Sequence, residues 1–495
     1  MGDNPTLTYQ SRLSVSTETG SLLSAYAAHY SSVERSLYAD IRRHEKPAAA
    51  FKNEYLAKYG ITARQFNAIS INLKGKIDSV RELLPLRVQE KELAIAKAVK
   101  VIKKSQNKNK VHQKKRRLTK LTIELESLQQ QKKSGDPRIC FGSRKLFQKQ
   151  FNLEINGYLS HQDWKNDWQT KRNSQFSVIG SKDETAGCQG CLATENIDGS
   201  FNLRLRLPDS IGKHVRLSNI EFKYGADKLR HALRTGQAIS YRFVKDSKGW
   251  RIFICTKMPD IKVISIKNAG TIGVDINADC LAISEIDRFG NLASTKIVPL
   301  VTYGKSSGQA KALIGDVVKE VVSFAVIANK PIVIEKLEFK KKRAELEGET
   351  PGQARMLSSF ACNQIVKHIH VAAYRAGIEV VEVNPAYTST IGTINFAAKY
   401  GISVHQGAAL AIARRGAGFR ECPTTKFAVL ATPKGDHVTF SLPARNREKH
   451  VWSHWSDIRK IQKAVLAAHL RPPLTGGTFA ARQTFHQEGE ETCIA

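Results

Sequence analysis

The stretch IGVDINADCLAIS, residues 272–284, sets an acid, Asp275, inside the apolar run IGVDI. Read outward from it, TIGVDIN, LAISEID and ASTKIVPL are three consecutive short strands with tight connections. A long amphipathic helix follows (GQAKALIGDVVKEVVSFAVIAN), then the apolar strand KPIVIEKL, in which Glu335 ends the run PIVIE. A charged segment comes next, then a second amphipathic helix (MLSSFACNQIVKHIHVAAYRAG), the strand IEVVEVNP and a final helix from about Ser403.

Three antiparallel strands followed by helix–strand–helix–strand–helix is the element order of an RNase H-like fold. A lone Asp in a strand is usually a turn or edge residue. Two acids on strands expected to be neighbours in one fold read differently, as carboxylates for divalent cations. Mg²⁺ prefers oxygen ligands, and paired cations activate water and stabilise the leaving oxygen of a phosphodiester attack. Other residues nearby carry two readings each. Glu382 is a further acid in the last strand, and Glu338 reads as an ion-pair partner. The run Lys340, Lys341, Lys342, Arg343 is either a solvated charge run or a guide for a nucleic-acid strand. Tyr387, Thr388 and Ser389 suit either phosphate contact or a turn. Arg414 and Arg415, on the last helix, would reach RNA or an acidic neighbour.

The charge points the same way. The 495 residues hold 77 Lys plus Arg against 45 Asp plus Glu, a formal net charge of +32. Such an excess repels itself unless a polyanion neutralises it, and nucleic acid is the natural one. Between Lys97 and Lys120 lie eleven Lys or Arg and no acid, among them Lys97, Lys100, Lys103, Lys104, Lys114, Lys115, Arg116 and Arg117. A helix face of one sign repels itself along i,i+4 spacings, so phosphate contact is expected there. The eight cysteines are scattered, which argues for a reducing, intracellular setting. No apolar leader or span-length run is present, so no membrane partner is expected.

The N-terminal half reads as two kinds of structure. LTYQSRLSV near residue 10 alternates like a strand. From about Gly20 to Lys133 the period is helical, ending in an antiparallel pair, QEKELAIAKAVKVIKK and QKKRRLTKLTIELESLQQQ. Leu93, Val99 and Ile102 are expected to face Leu118, Leu121, Leu125 and Leu128. From about Ile139 to Val263 the signal turns to short alternating strands, suggesting a small barrel that the first strand would complete.

Here the chain resembles a known family. IGVDINADCLAIS is similar to the first RuvC motif of the transposon-encoded TnpB (OrfB) proteins and the type V CRISPR effectors, and IVIEKLEF to the second. VNPAYTS, with a helix beginning HQGAALAIARRG, resembles the block leading into the third. The resemblance implies an α/β multidomain protein. Its parts would be the first strand of a wedge β-barrel (residues 1–18), an inserted helical recognition domain (19–138) and the wedge barrel (139–263). A RuvC-like nuclease domain without a zinc ribbon (264–442) and a basic, partly disordered tail (443–495) would follow.

It also implies a divalent-metal-dependent endodeoxyribonuclease programmed by a guide RNA and acting on double- and single-stranded DNA. Asp275, Glu335 and His405 would be catalytic metal ligands for Mg²⁺ or Mn²⁺. His405 stands where the family usually has an Asp; neutral imidazole also ligates metals, though it favours softer ions and adds pH dependence. The alternative for His405 is a hydrogen-bonded residue at a helix start capped by Ser403. Zinc is not expected: TIGTINFAAKYGISV lacks the family's cysteine pairs, and the CxxC at Cys188 and Cys191 has no second pair. A cytoplasmic, nucleoid-associated setting in a prokaryote follows from the same resemblance. The competing readings are a nuclease-dead or weak RNA-guided DNA binder and a DNA transposase with an RNase H-fold acidic site. The oligomeric state is left open.

Overall fold

The computed structural model describes residues 5–336, 362–431 and 436–470. These fall into two compact units, one up to Lys262 and one from Val263.

In the first unit, β1 (Thr6–Arg12) pairs with β7 (Gly249–Lys257), which pairs with β6 (Ser240–Asp246) and so to β2 (Gln175–Val178). A second sheet holds β3 (Cys191–Glu195), β4 (Phe201–Arg206) and β5 (His214–Ile220). All these pairings are antiparallel. The expected barrel is therefore not closed: among the described residues no ladder joins the two sheets. In the chain between β2 and β3, Gly187 O accepts from Ile239 N just before β6, a loop contact and not a further ladder. The inner faces of both sheets nevertheless share one apolar core with the helices, including Phe176, Leu203, Phe243 and Ile252.

The helices are α1 (Thr17–His44), α2 (Lys52–Tyr59), α3 (Ala63–Lys104) and α4 (Lys108–Ser134). Helix α3 runs unbroken through Pro85. A proline removes one ladder bond at a cost of about 3 kcal/mol. Burial of Leu84, Leu86 and Val88 on either side offsets it. α3 and α4 form the expected antiparallel hairpin, with Ala94, Ala98 and Leu121 buried. Leu93 is the exception and lies exposed, because the seam follows Ala94 and Ala98 instead. The region read as strands also contains helices, among them α5 (His161–Arg172) and α6 (Ala226–Arg234).

The second unit is built on five strands in the order β10-β9-β8-β11-β12. These are β8 (Ile272–Ile276), β9 (Cys280–Ile286), β10 (Leu292–Pro299), β11 (Ile332–Glu335) and β12 (Val380–Val383). β8, β9 and β10 are antiparallel neighbours, while β11 runs parallel to both β8 and β12. α7 (Ser307–Ala328) and α8 (Cys362–Arg375) cover one face through Ile272, Val274, Ile332 and Ile334. α9 (Val404–Gly416) covers the other, with Ile412 packed on Val333 and Val383. The central strands are buried on both sides, which is why they read as continuous apolar runs.

Two elements beyond α9 had no sequence signal strong enough to read. A hairpin, β13 (Phe427–Ala431) with β14 (His437–Ser441), and a helix, α10 (Val451–Leu470), share a core with α9. Trp455 and Ile458 are buried in it, so residues 451–470 are structured where a tail was expected. Among the described residues no helix is long and apolar enough to cross a membrane.

Candidate active site

Side chains alternate between the faces of a strand, and this parity decides what meets what. On β8, Ile272 and Val274 point into the α7–α8 core, so Gly273 and Asp275 face α9. On β11, Ile332 and Ile334 point to α7–α8, so Val333 and Glu335 face α9. Val274 is in register with Ile334, which leaves Asp275 and Glu335 side by side one position further on. Adjacent strands lie about 4.8 Å apart, so the two acids end neighbouring parallel strands on one face. On β12, Glu382 aligns with Ile334 and so takes the opposite face, where it meets His370 of α8 at 3.0 Å. It does not join the other two acids.

Helix α9 is seated unusually close. A Cβ on Gly273 would lie 1.9 Å from the Ala409 carbonyl oxygen, and one on Gly416 would meet Val333. Small residues on both sides let backbone touch backbone. Two buried hydroxyls then tie the helix down: Thr271 donates to the Ala413 carbonyl at 2.8 Å, and Ser284 to the Gln406 carbonyl at 2.8 Å. Its first turn is held by a capping box in which Ser403 accepts from Gln406 N, and Gln406 accepts from Ser403 N.

That seating brings His405 to Asp275, with Nδ1 3.3 Å from Oδ2. Asp275 is buried, while the imidazole is half exposed. The hydrogen bond to Asp275 raises the His405 pKa above its ordinary value, burial opposes this, and the charges of Asp275 and Asp279 add to the rise. Ser403 caps the helix and His405 hydrogen-bonds to the acid, as the second reading of His405 has it. Asn277 donates to the same Asp275 oxygen at 2.9 Å, in the tight turn from β8 to β9. Glu335 accepts a hydrogen bond from the Thr388 hydroxyl, and Thr388 is buried. Burial pushes the Arg415 guanidinium down, while the charges of Glu335 and Glu421 oppose that shift.

Thr388 opens a helical segment that passes through a π-helical stretch at Gly392–Ala397. Gly392 lies against Gly407 and Ala408 of α9, where added Cβ atoms would collide with backbone. The contacts of Asn277 and Thr388 were not legible as such, although Thr388 sits in a block the sequence singled out. Arg414 finds an acidic neighbour, Glu421, and stacks between Phe396 and Phe419. Among the described residues no three His, Cys, Asp or Glu side chains converge closely enough to hold a metal ion. Cys188 and Cys191 are both buried free thiols, and burial pushes Cys188 up to about 12. Lys340, Lys341, Lys342, Arg343 and Glu338 lie outside the described residues.

The basic hairpin residues are elsewhere, in the first unit. Lys97, Lys100, Lys103, Lys104, Lys115, Arg116 and Arg117 are exposed around the turn between α3 and α4, with Lys114 half-buried. Lys91 pairs with Glu124 across the two helices further from that turn.

Comparisons with known proteins give the following. No protein-family model matches the chain. No curated protein matches it either. Among solved structures, the chain is similar to T. thermophilus RuvC in complex with a Holliday junction substrate at 18% identity and a TM-score of 0.21, over 29% of this chain and 89% of that one. It is similar to a Cas12f1–sgRNA–target DNA complex at 12% identity and a TM-score of 0.22, over 83% and 99%. It is similar to a Cas12i1 R-loop complex at 8% identity and a TM-score of 0.27, over 70% and 61%. At such scores these likenesses carry no functional argument.

Proposed function

We propose that this chain is an RNA-guided, divalent-metal-dependent DNA endonuclease of the TnpB type, hydrolysing phosphodiester bonds in a RuvC-like site. The observation that carries this reading is the meeting of Asp275 with His405 at the end of a central strand, beside Glu335 on the neighbouring strand. These two carboxylates and one imidazole do not converge in the structure, and would suit Mg²⁺ or Mn²⁺ once drawn together on the ion. Asp275, Glu335 and His405 would hold the metal, which supplies water activation and charge neutralisation at the scissile phosphate when bound.

The protein's own groups have separate tasks. Asn277 orients the Asp275 carboxylate, and Thr388 orients that of Glu335. Preorganised carboxylates lose less on engaging a ligand than mobile ones. His405 has to present a neutral imidazole, since a protonated ring cannot ligate. The exposed lysines and arginines of the α3–α4 turn serve as phosphate contacts for guide RNA, and Lys340, Lys341, Lys342 and Arg343 would guide a nucleic-acid strand across the active site. The net charge of +32 supports a polyanionic partner.

A second reading, an RNA-guided DNA binder with weak or no cleavage, draws on the pairing of His405 with Asp275, which ties up one donor. A DNA transposase is the third. Purification followed by nucleic-acid extraction separates them first: a discrete structured RNA supports both guided readings, and its absence at moderate salt overturns them. Cleavage of guide-matched DNA with Mg²⁺ or Mn²⁺ then divides nuclease from binder, with Asp275→Ala as the inactive control. A wild type that binds matched DNA without cutting it establishes the binder.

A further inference from the structure

The first unit encloses a polar cavity of about 130 Å³ where α1, α3, the end of α5, β2 and β6 meet. Its lining includes Glu34, Asn72, Lys76, Arg172, Ser177 and Arg242. The one acid is already neutralised, since Lys76 Nζ donates to both Glu34 oxygens at 2.6 Å. The two arginines are not. Arg172 has its Nε buried without a hydrogen-bond partner and its guanidinium stacked 4.8 Å from the Trp168 ring centre. Arg242 lies 4.7 Å from the centre of the Phe253 ring. Among the described residues neither forms an ion pair. Nearby Arg35 reaches only neutral acceptors, Ser31 Oγ and Asn173 Oδ1. Its pKa is held down by burial and then by the charge of Arg172.

A polar pocket lined by cations in excess of acids favours an anion. Guanidiniums stacked on aromatic rings are pre-oriented, and their planar forks match the oxygens of a phosphate. The cavity's volume of about 130 Å³ leaves room for a phosphate group. Arg242 is exposed, so the cavity is reachable by a phosphate still joined to a chain. We propose that this cavity binds one phosphate of a bound polynucleotide strand, clasped by Arg172 and Arg242. The proposal rests on the nucleic-acid-binding part of the reading above, and is independent of cleavage.

The test uses the full chain stripped of nucleic acid and a short fluorescein-labelled single-stranded RNA of mixed sequence, titrated across a series of KCl concentrations. Arg172→Gln and Arg242→Gln are each expected to weaken binding roughly ten-fold at low salt. Each is also expected to make the log–log salt slope shallower by about 0.7, the value for one single-strand phosphate contact. Thermal midpoints report folding, and the exposed Arg242 provides the second variant if loss of the Trp168 stack unfolds the first. Variants that fold but keep the wild-type slope overturn the proposal, while wild-type binding leaves the nucleic-acid reading intact. A wild type that fails to bind RNA at low salt overturns both. Thermal stabilisation by inorganic phosphate that Arg172→Gln abolishes, with an unchanged RNA slope, assigns the cavity to a free anion and overturns the strand assignment.

Discussion

His405 Nδ1 stands 3.3 Å from Asp275 Oδ2 although 130 positions separate them in the chain. The pair has two pH-dependent consequences of opposite sign. In the metal-free protein the folded pKa of His405 is raised above its ordinary 6.5. Its pairing therefore stabilises the fold fully below the unfolded value and loses that effect as pH rises through the folded one. The thermal midpoint of His405→Ala should fall furthest below wild type under acidic conditions, and the two should converge at alkaline pH. Under the proposed function the ring has to be neutral to ligate, so the cleavage rate should climb through the same window. A wild-type rate that is flat across about pH 5 to 8 would remove His405 from the site.

Gly273→Ala tests the close seating of α9. The added methyl would sit 1.9 Å from the Ala409 carbonyl oxygen, and that neighbour is backbone and cannot swing away. Overpacking of this kind costs about 1–3 kcal/mol. Urea unfolding should show that loss, and guide-matched cleavage should fall by more than stability alone explains, because the shift moves His405 away from Asp275. Wild-type stability in this variant would contradict the packing described.

Thr388→Val removes the hydroxyl that Glu335 accepts from and keeps the shape of the side chain. With its carboxylate no longer oriented, kcat for matched DNA should drop roughly ten-fold to a hundred-fold while KM changes little. Thr388→Ser should restore most of the rate. An equal rise in KM would point to a binding role instead.

Lys330 and Glu285 form a largely buried pair at 2.6 Å, with Lys330 also donating to the Ile286 carbonyl at 2.9 Å and Ser294 donating to Glu285 at 2.8 Å. Lys330→Met strands the carboxylate and should cost about 3 kcal/mol by chemical denaturation. Adding Glu285→Leu should recover most of that loss, since the penalty lies in the uncompensated charge. Failure of the double variant to recover would mean that the lysine stem, not the ion pair, holds this corner.

Much of the second unit was legible because its signals are local. The runs around Asp275 and Glu335 are apolar on both faces and bounded by turns, and a period of two places Gly273 with Asp275 and Val333 with Glu335. The same parity, applied to IEVVEVNP, sends Glu382 to the other face, where it meets His370. Other features were hidden by competing local signals. Pro85 reads as a break, yet buried leucines on both sides carry α3 through it. The basic character beyond Pro443 obscured α10, whose Trp455 and Ile458 are anchored by a core contributed by distant elements.

By itself, then, the sequence determined the charge, the order of strands and helices in the second unit, and two acids that close adjacent apolar strands. These follow from periodicity and composition, which each segment carries within itself. Only the tertiary structure decided that the first-unit strands form two sheets, that Thr388 takes Glu335, and that His405 reaches Asp275. Such pairings depend on which surfaces approach closely enough to touch. At α9 that is set by glycines and alanines whose effect is felt only when helix and sheet meet.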